Sequence, residues 1–296
     1  MLKPPVKKNW NAQQAQTLVE ALPYIRAFFG KTVVVKYGGS AMVDRVLKMN
    51  FAEDAVLMKY VGIHPVIVHG GGPQISTMMK RLGKEVKFVN GIRVTDTETM
   101  EIVEMVLGGT INKEIVNLIN QHGGRGVGFS GKDGGLIRAK PLKGQQEAMG
   151  HVGEVDEIDS QILKTIQEGE IRGRQRFIPV ISPVGSDEKG HSYNINADLV
   201  AAHLAVSIGA EKLLILTDVP GVLDKQGQLI PTLSNKEVSR MIKKGLIQGG
   251  MLPKVEAALF AVDQGVRKAH IIDGRVPHAL LLELLTDQGV GTEIVS

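Results

Sequence analysis

The sequence contains no cysteine. Disulfide bridges, thiolate nucleophiles and cysteine-ligated zinc are excluded together. Aromatic residues make up only 4% of the 296-residue chain, which leaves few rings on which nucleic-acid bases would stack. No apolar run approaches the roughly 18 residues that crossing a bilayer requires, so no membrane partner is expected. The opening stretch, MLKPPVKKNW, carries charge with no apolar segment behind it and does not read as a signal peptide. A cytoplasmic protein is therefore expected. The histidines show no H-E-x-x-H or other zinc spacing, no protein-only metal site is visible, and no G-x-S-x-G elbow marks a serine hydrolase.

What is present has the balance of an ordinary globular protein, with 43% hydrophobic and 22% charged residues. That length and composition suit one large α/β domain, or two lobes sharing a continuous sheet. The net charge is +4 and the pI near 9.1, yet the cations are spread among acids, with KPPVKK as their one cluster. A small anionic ligand accounts for such mild basicity better than a polynucleotide, and no nucleic-acid partner is expected.

Along the chain, residues 1–10 read as a flexible basic arm. From Ala12 to Phe29, apolar residues fall at helical spacing, Pro23 should kink the helix, and Gly30 is placed to cap it. An α/β alternation follows. Thr32–Lys36, Pro65–His69, Phe177–Ile181, Lys212–Thr217 and His270–Ile272 read as strands. Val46–Val61, Thr99–Gln121, Ser160–Glu168, Ala197–Ile208, Ser234–Lys244 and Val255–Gln264 read as helices. Short apolar strands alternating with helices predict a three-layer α/β sandwich around a mainly parallel sheet. The stretch from Gly131 to Val155, rich in Gly, Lys and Glu, patterns weakly and is expected to form hairpins at the sheet edge.

Gly126–Gly131 matches the G-x-G-x-x-G dinucleotide pattern, but it follows a helix and enters a strand, the reverse of what that fingerprint needs. The overlapping P-loop match fails at Asp133, where a magnesium-holding Ser or Thr belongs. Glycine clusters in better positions are Lys36-Tyr-Gly-Gly-Ser40, His69-Gly-Gly-Gly-Pro73 and the looser Thr217-Asp-Val-Pro-Gly221. Each sits where a strand ends, the edge of a parallel sheet at which ligands bind. Glycine lets backbone amides approach an anion closely, and a following helix adds its positive end. Spacing alone leaves two readings open, tight turns or an anion cradle.

Five motifs occur in order along the chain, Lys36–Ser40, Val68–Pro73, Asn90-Gly-Ile-Arg-Val-Thr95, Asn194-Ile-Asn-Ala-Asp198 and Gly249-Gly-Met-Leu-Pro-Lys254. Together they resemble the acetylglutamate kinases, a branch of the amino-acid kinase family, and N-G-x-R-V-T is the segment that points to that branch. The resemblance implies the amino-acid kinase fold, with an N-terminal arm and helix (1–30), a substrate and dimerisation lobe (31–208) and a nucleotide-binding lobe (209–296). It implies that Lys36 and Lys254 flank the transferring phosphoryl group and that Asp198 holds them in place. Gly71 and Gly72 would present amides to the substrate, Arg93 would pair with its α-carboxylate, and Asn194 and Asn196 would line the same pocket. Gly38, Gly39, Asp218, Val219, Gly221, Leu223 and Gln248 would contact ATP, with Mg2+ arriving on the nucleotide. The implied reaction is phosphorylation of the γ-carboxylate of N-acetyl-L-glutamate in arginine biosynthesis.

That acceptor explains which residues are missing. A side-chain carboxylate with a pKa near 4.3 is already ionised at neutral pH, so no general base is needed. Lysines, glycine amides and magnesium suffice, by positioning and cationic stabilisation. Glutamate 5-kinase, aspartokinase, uridylate kinase, an inactive amino-acid sensor and a Rossmann oxidoreductase are the competing readings. Arg93 in its motif, the intact lysine clamp and the misplaced dinucleotide fingerprint weigh against them.

In arginine-sensitive members of the resembled family, an N-terminal helix interlaces dimers into a hexameric trimer of dimers. L-arginine then acts as effector beside that helix. The matching positions here are Lys212, His270, Glu283 and Gly289, with Glu283 expected to meet the guanidinium.

Overall fold

The computed structural model of the chain describes residues 12–143, 149–168, 177–287 and 289–296. The basic arm expected over residues 1–10 lies outside them. Helix α1 (Ala12–Phe28) contains Pro23, and Gly30 beyond its end adopts a φ of 74°, a conformation that favours glycine. The β-branched run expected first is β1 (Thr32–Tyr37), and β2 (His64–His69) follows α2 (Arg45–Tyr60). Asp44 caps α2 by accepting from the amides of Val46 and Leu47. Helix α3 (Gly72–Arg81) opens straight from the second glycine cluster, with Pro73 in its first turn, where no backbone donor is needed.

A short hairpin of β3 (Phe88–Val89) and β4 (Ile92–Arg93) comes next. The helix expected from Thr99 to Gln121 forms in three pieces. These are α4 (Thr97–Glu104), a π-helical turn (Met105–Ile111) and α5 (Asn112–Gln121). Gly108 and Gly109 fall in the π turn, where weak helix formers allow the hydrogen-bond ladder to widen. The dinucleotide-like glycines form β5 (Gly126–Ser130) and open no helix.

Strands β6 (Ile137–Pro141) and β7 (Val152–Ile158) pair antiparallel, as hairpins would. They do not sit at the sheet edge. With β9 (Val184–Ser186) and β10 (Ser192–Ile195) they close a separate small barrel. A closed barrel needs no covering layer at its edges, and its half-exposed strands carry a weaker apolar pattern than strands buried on both faces.

The remaining elements are α6 (Gln161–Glu168), β8 (Ile178–Ser182), α7 (Ala197–Ser207), β11 (Lys212–Thr217) and β12 (Thr232–Ser234). They are completed by α8 (Asn235–Lys243), α9 (Leu252–Asp263), β13 (Lys268–Asp273), α10 (Ala279–Leu285) and β14 (Gly291–Val295). The sheet runs in the order β12-β14-β13-β11-β1-β2-β8-β5, parallel from β13 to β5, with β14 reversed against β13. Alternate residues serve opposite faces. Val34, Val66 and Val68 pack with α7 and α9, whereas Val33, Val35 and Ile67 pack with α2, α3 and α5. These two buried clusters make the sandwich three layers deep.

Strand β1 lies between β2 and β11, so the chain leaves it to one side first and later returns on the other. At such a reversal the loops beyond the strands part, and a crevice opens at their carboxyl ends.

Candidate active site

Beyond the ends of β1 and β2 lies a cavity of about 210 Å³, lined by both glycine clusters and by the start of α7. Lys36, Gly38, Gly39, Gly71, Gly72, Asn196 and Asp198, all singled out in the sequence, line it. Lys36, near the end of β1, is that strand's single cation and is only 7% exposed. Asn196 caps α7 by accepting from the amides of Asp198 and Leu199. The cap sets Asp198 in the first helical turn, 4% exposed, where the helix dipole favours its charge.

Lys254 joins this group from the first turn of α9 and donates to Asp198 Oδ2 at 2.9 Å. A cation at a helix N-terminus opposes the dipole, and Asp198 supplies the compensating charge. On the other side, Lys36 Nζ lies 3.0 Å from Asp198 Oδ1, close enough for strong attraction but without hydrogen-bond alignment, so Oδ1 has no aligned donor. Burial alone would raise the Asp198 pKa, but Lys36 and Lys254 overcome it and hold the carboxyl below its usual range. Burial, reinforced by Lys254, lowers the pKa of Lys36, against the pull of Asp198.

Arg93 is 6% exposed, and burial lowers its pKa. Its Nη2 donates to the Gly72 carbonyl and to Ser76 Oγ, each at 2.8 Å, and its guanidinium lies 4.8 Å from the Phe88 ring centroid. Among the described residues no carboxylate stands within ion-pair distance. A buried guanidinium held only by neutral groups suits an anionic ligand, which a planar fork binds through two oxygens. Asn194 stands outside the cavity lining and donates to Thr95 Oγ1 at 3.3 Å, close to Arg93 in the chain.

The expected nucleotide residues are spread more widely. Asp218 Oδ1 accepts from the Ser40 amide beside Gly39, which ties the β11 loop to the first glycine cluster. Val219, Gly221, Leu223 and Gln248 do not line the cavity. Gly221 packs on β14, where an added Cβ would lie 2.6 Å from Thr292 Oγ1, and Leu223 pairs with Leu229. Gln248 is exposed just before the turn that opens α9.

Lys212, His270 and Glu283 do come together, at the start of β11, the opposite end of that strand from Asp218. Glu283 Oε1 receives Lys212 Nζ at 2.8 Å and His270 Nε2 at 3.0 Å. Glu283 Oε2 accepts from the Val290 amide at 3.2 Å, beside the exposed Gly289. The carboxylate expected to await a guanidinium is thus already paired. Burial, then Lys212 and Lys268, push His270 far below the usual histidine range, so it is neutral.

Sequence reasoning passed over Gln74 and Met42, which line the crevice. Gln74 donates to the Met42 carbonyl at 3.4 Å and so links the two glycine clusters. Its place directly after Gly70-Gly-Gly-Pro73 was the available signal.

Residues 31–273 match the amino acid kinase family. The chain is 60% identical over 290 residues to the acetylglutamate kinase of Halorhodospira halophila, covering 95% of each. It is 56% identical over 302 residues to that of Hydrogenovibrio crunogenus, covering 97% of this chain and 99% of the relative. Among solved structures, N-acetylglutamate synthase from Neisseria gonorrhoeae, complexed with coenzyme A and N-acetyl-glutamate, aligns with a TM-score of 0.84 at 25% identity. That alignment covers 95% of this chain and 63% of the synthase.

Proposed function

This chain belongs to the amino acid kinase family, among the acetylglutamate kinases, and we propose that its crevice works by positioning and charge without a general base. The reaction is ATP-dependent phosphorylation of N-acetyl-L-glutamate. The observation that carries the mechanism is Asp198, buried between Lys36 and Lys254. It fixes two ammonium groups on one crevice wall, where they meet the oxygens of a transferring phosphoryl group as charge develops.

Arg93 takes the α-carboxylate of the acid beside Gly72, and Asn196 and Asn194 complete the substrate wall. The Gly71 and Gly72 amides face the reacting oxygens. Gly38 and Gly39 receive the nucleotide phosphates, and the loop from Asp218 to Leu223 and Gln248 surround the rest of ATP. Residues 31–208 thus form the substrate lobe and 209–296 the nucleotide lobe. Magnesium fits this donor set as a hard cation carried on phosphate oxygens, with Asp218 the exposed carboxylate at the crevice edge that would hold it. When bound it neutralises phosphate charge. The substrate acid is already ionised at neutral pH, so the protein needs only to align it for in-line attack.

The product belongs to arginine biosynthesis in the cytoplasm, and L-arginine acts as feedback inhibitor at the Lys212–His270–Glu283 cluster, where its guanidinium would have to displace Lys212 or His270 from Glu283. Two contacts support this assignment. Helix α1 packs on α10, which carries Glu283, and the Phe28 ring centroid lies 5.7 Å from Lys212 Nζ. Leu18, Val19 and Leu22 of α1 are 75%, 62% and 51% exposed, an apolar stripe suited to cover by a second subunit in a hexamer of interlaced dimers. Hydroxylamine trapping tests the reaction itself. With ATP and N-acetyl-L-glutamate the acyl phosphate should accumulate as a hydroxamate, and its absence while ADP is released would contradict carboxyl transfer.

A further inference from the structure

His69, the last residue of β2, is fully buried and does not line the cavity. Its Nδ1 lies 2.9 Å from the carbonyl oxygen of Gly70. Its Nε2 lies 3.3 Å from Asn112 Nδ2, and Asn112 also donates to the Val180 carbonyl at 2.9 Å. These partners settle the tautomer. A carbonyl can only accept, so Nδ1 carries the hydrogen, and the Asn112 amide nitrogen can only donate, so Nε2 is bare. Burial lowers the His69 pKa to about 4, which keeps this neutral form at physiological pH.

The consequence lies in the next peptide bond. Gly70 is fixed at its amide, which donates to the Tyr37 carbonyl at 2.9 Å, and at its carbonyl, which accepts from His69. In a planar trans peptide, C=O and N–H point in opposite directions. A Gly70 carbonyl held towards buried His69 therefore turns the Gly71 N–H the other way, towards the cavity that Gly71 lines. The π turn closes the remaining side. An added Cβ on Gly71 would lie 2.5 Å from both Leu107 Cδ2 and Ile111 Cδ1, so the loop packs directly against that turn. Asn112 follows that turn directly, so the widened helical segment delivers both the wall and the His69 partner.

We infer that His69, oriented by Asn112, is a positioning residue that aims the Gly71 amide at the reacting phosphoryl oxygens. The inference rests on the reading that Gly71 N–H faces those oxygens. It explains why an uncharged, buried histidine stands beside the glycine turn of an enzyme that needs no base.

Two amide variants separate aiming from packing. In His69→Asn the amide nitrogen takes the place of Nδ1 and still donates to Gly70, while Asn112 keeps the Val180 carbonyl. In His69→Gln the amide reaches the Nε2 position, engages Asn112 and leaves the Gly70 carbonyl without a donor. His69→Asn should keep near-native kcat, and His69→Gln should lose about 10²-fold, the usual effect of misplacing one oxyanion donor. The KM for ATP should stay unchanged in both. Equal kcat in the two variants, whether native or impaired, overturns the inference. If either variant fails to fold, nitrogen-15 NMR of labelled histidine in the native enzyme decides, since His69 must show the Nδ1–H tautomer at neutral pH and an Nε2–H tautomer overturns the inference. Failure of the active-site reading would show separately, as undiminished kcat in Lys254→Ala, a residue outside this network.

Discussion

A carboxylate taken out of water is costly, and Asp198 stays ionised at 4% exposure because ammonium groups stand 3.0 Å and 2.9 Å from it. The arrangement works in both directions at Lys36, where Asp198 pulls against the burial that lowers the lysine's pKa. Lys36→Ala and Lys254→Ala should each lower kcat by about 10²- to 10³-fold, the usual effect of removing one donor to a developing anion. The far-ultraviolet circular dichroism of both variants should stay native. Near-native turnover in Lys254→Ala would show that it serves only to balance Asp198. Lys36, Asp198 and Lys254 were legible because each belongs to a short motif in chain order. His69 and Asn112 were not, because their meaning arises only where residues 43 positions apart meet. The histidine spacing spoke only to zinc patterns, and it was silent about a role within hydrogen-bond reach of a neighbouring peptide.

Helices and strands followed their periodicities closely, since a strand buried on both faces and an amphipathic helix each impose a pattern on local sequence. Besides the π turn that splits the Thr99–Gln121 helix and several short strands, two larger features escaped. The small barrel draws strands from 137–195, so its closure is a long-range fact. Helix α10, Ala279–Leu285, is an apolar run too short for its period to declare itself, yet it carries Glu283. Its start is held by His278, in the left-handed region at φ 56°, whose Nδ1 lies 2.6 Å from Asp54 Oδ1 on α2. Burial raises the Asp54 pKa from 3.8 to about 6, despite the opposing hydrogen bond from His278. The folded state therefore holds this proton more tightly than the unfolded chain does. The stability it contributes is fully present below pH 3.8 and is lost as pH rises through about 6. Denaturant titrations across that window should show wild-type stability falling with pH relative to Asp54→Asn. A wild-type curve that rises relative to Asp54→Asn would contradict the raised pKa.

At the scale of the whole molecule, one continuous sheet carries the crevice at its strand ends and the Lys212–His270–Glu283 cluster elsewhere in the same frame. Strand β11 joins them, beginning at Lys212 and ending at Thr217, next to Asp218. An effector that alters turnover must favour one arrangement of the lobes by differential affinity. Deleting residues 1–27 should leave an active dimer insensitive to L-arginine, checked by light scattering beside an inhibition curve. A truncated protein that stays hexameric, or equally sensitive, would refute the role given to α1. The exposed stripe of α1 was visible in the sequence as an amphipathic pattern, but periodicity cannot say what covers it. The most direct measurement is ADP release with N-acetyl-L-glutamate, L-glutamate, L-aspartate and UMP supplied side by side at equal concentration. Turnover should be fastest by far with N-acetyl-L-glutamate, and equal or faster turnover of unacetylated glutamate would contradict the function assigned to this crevice.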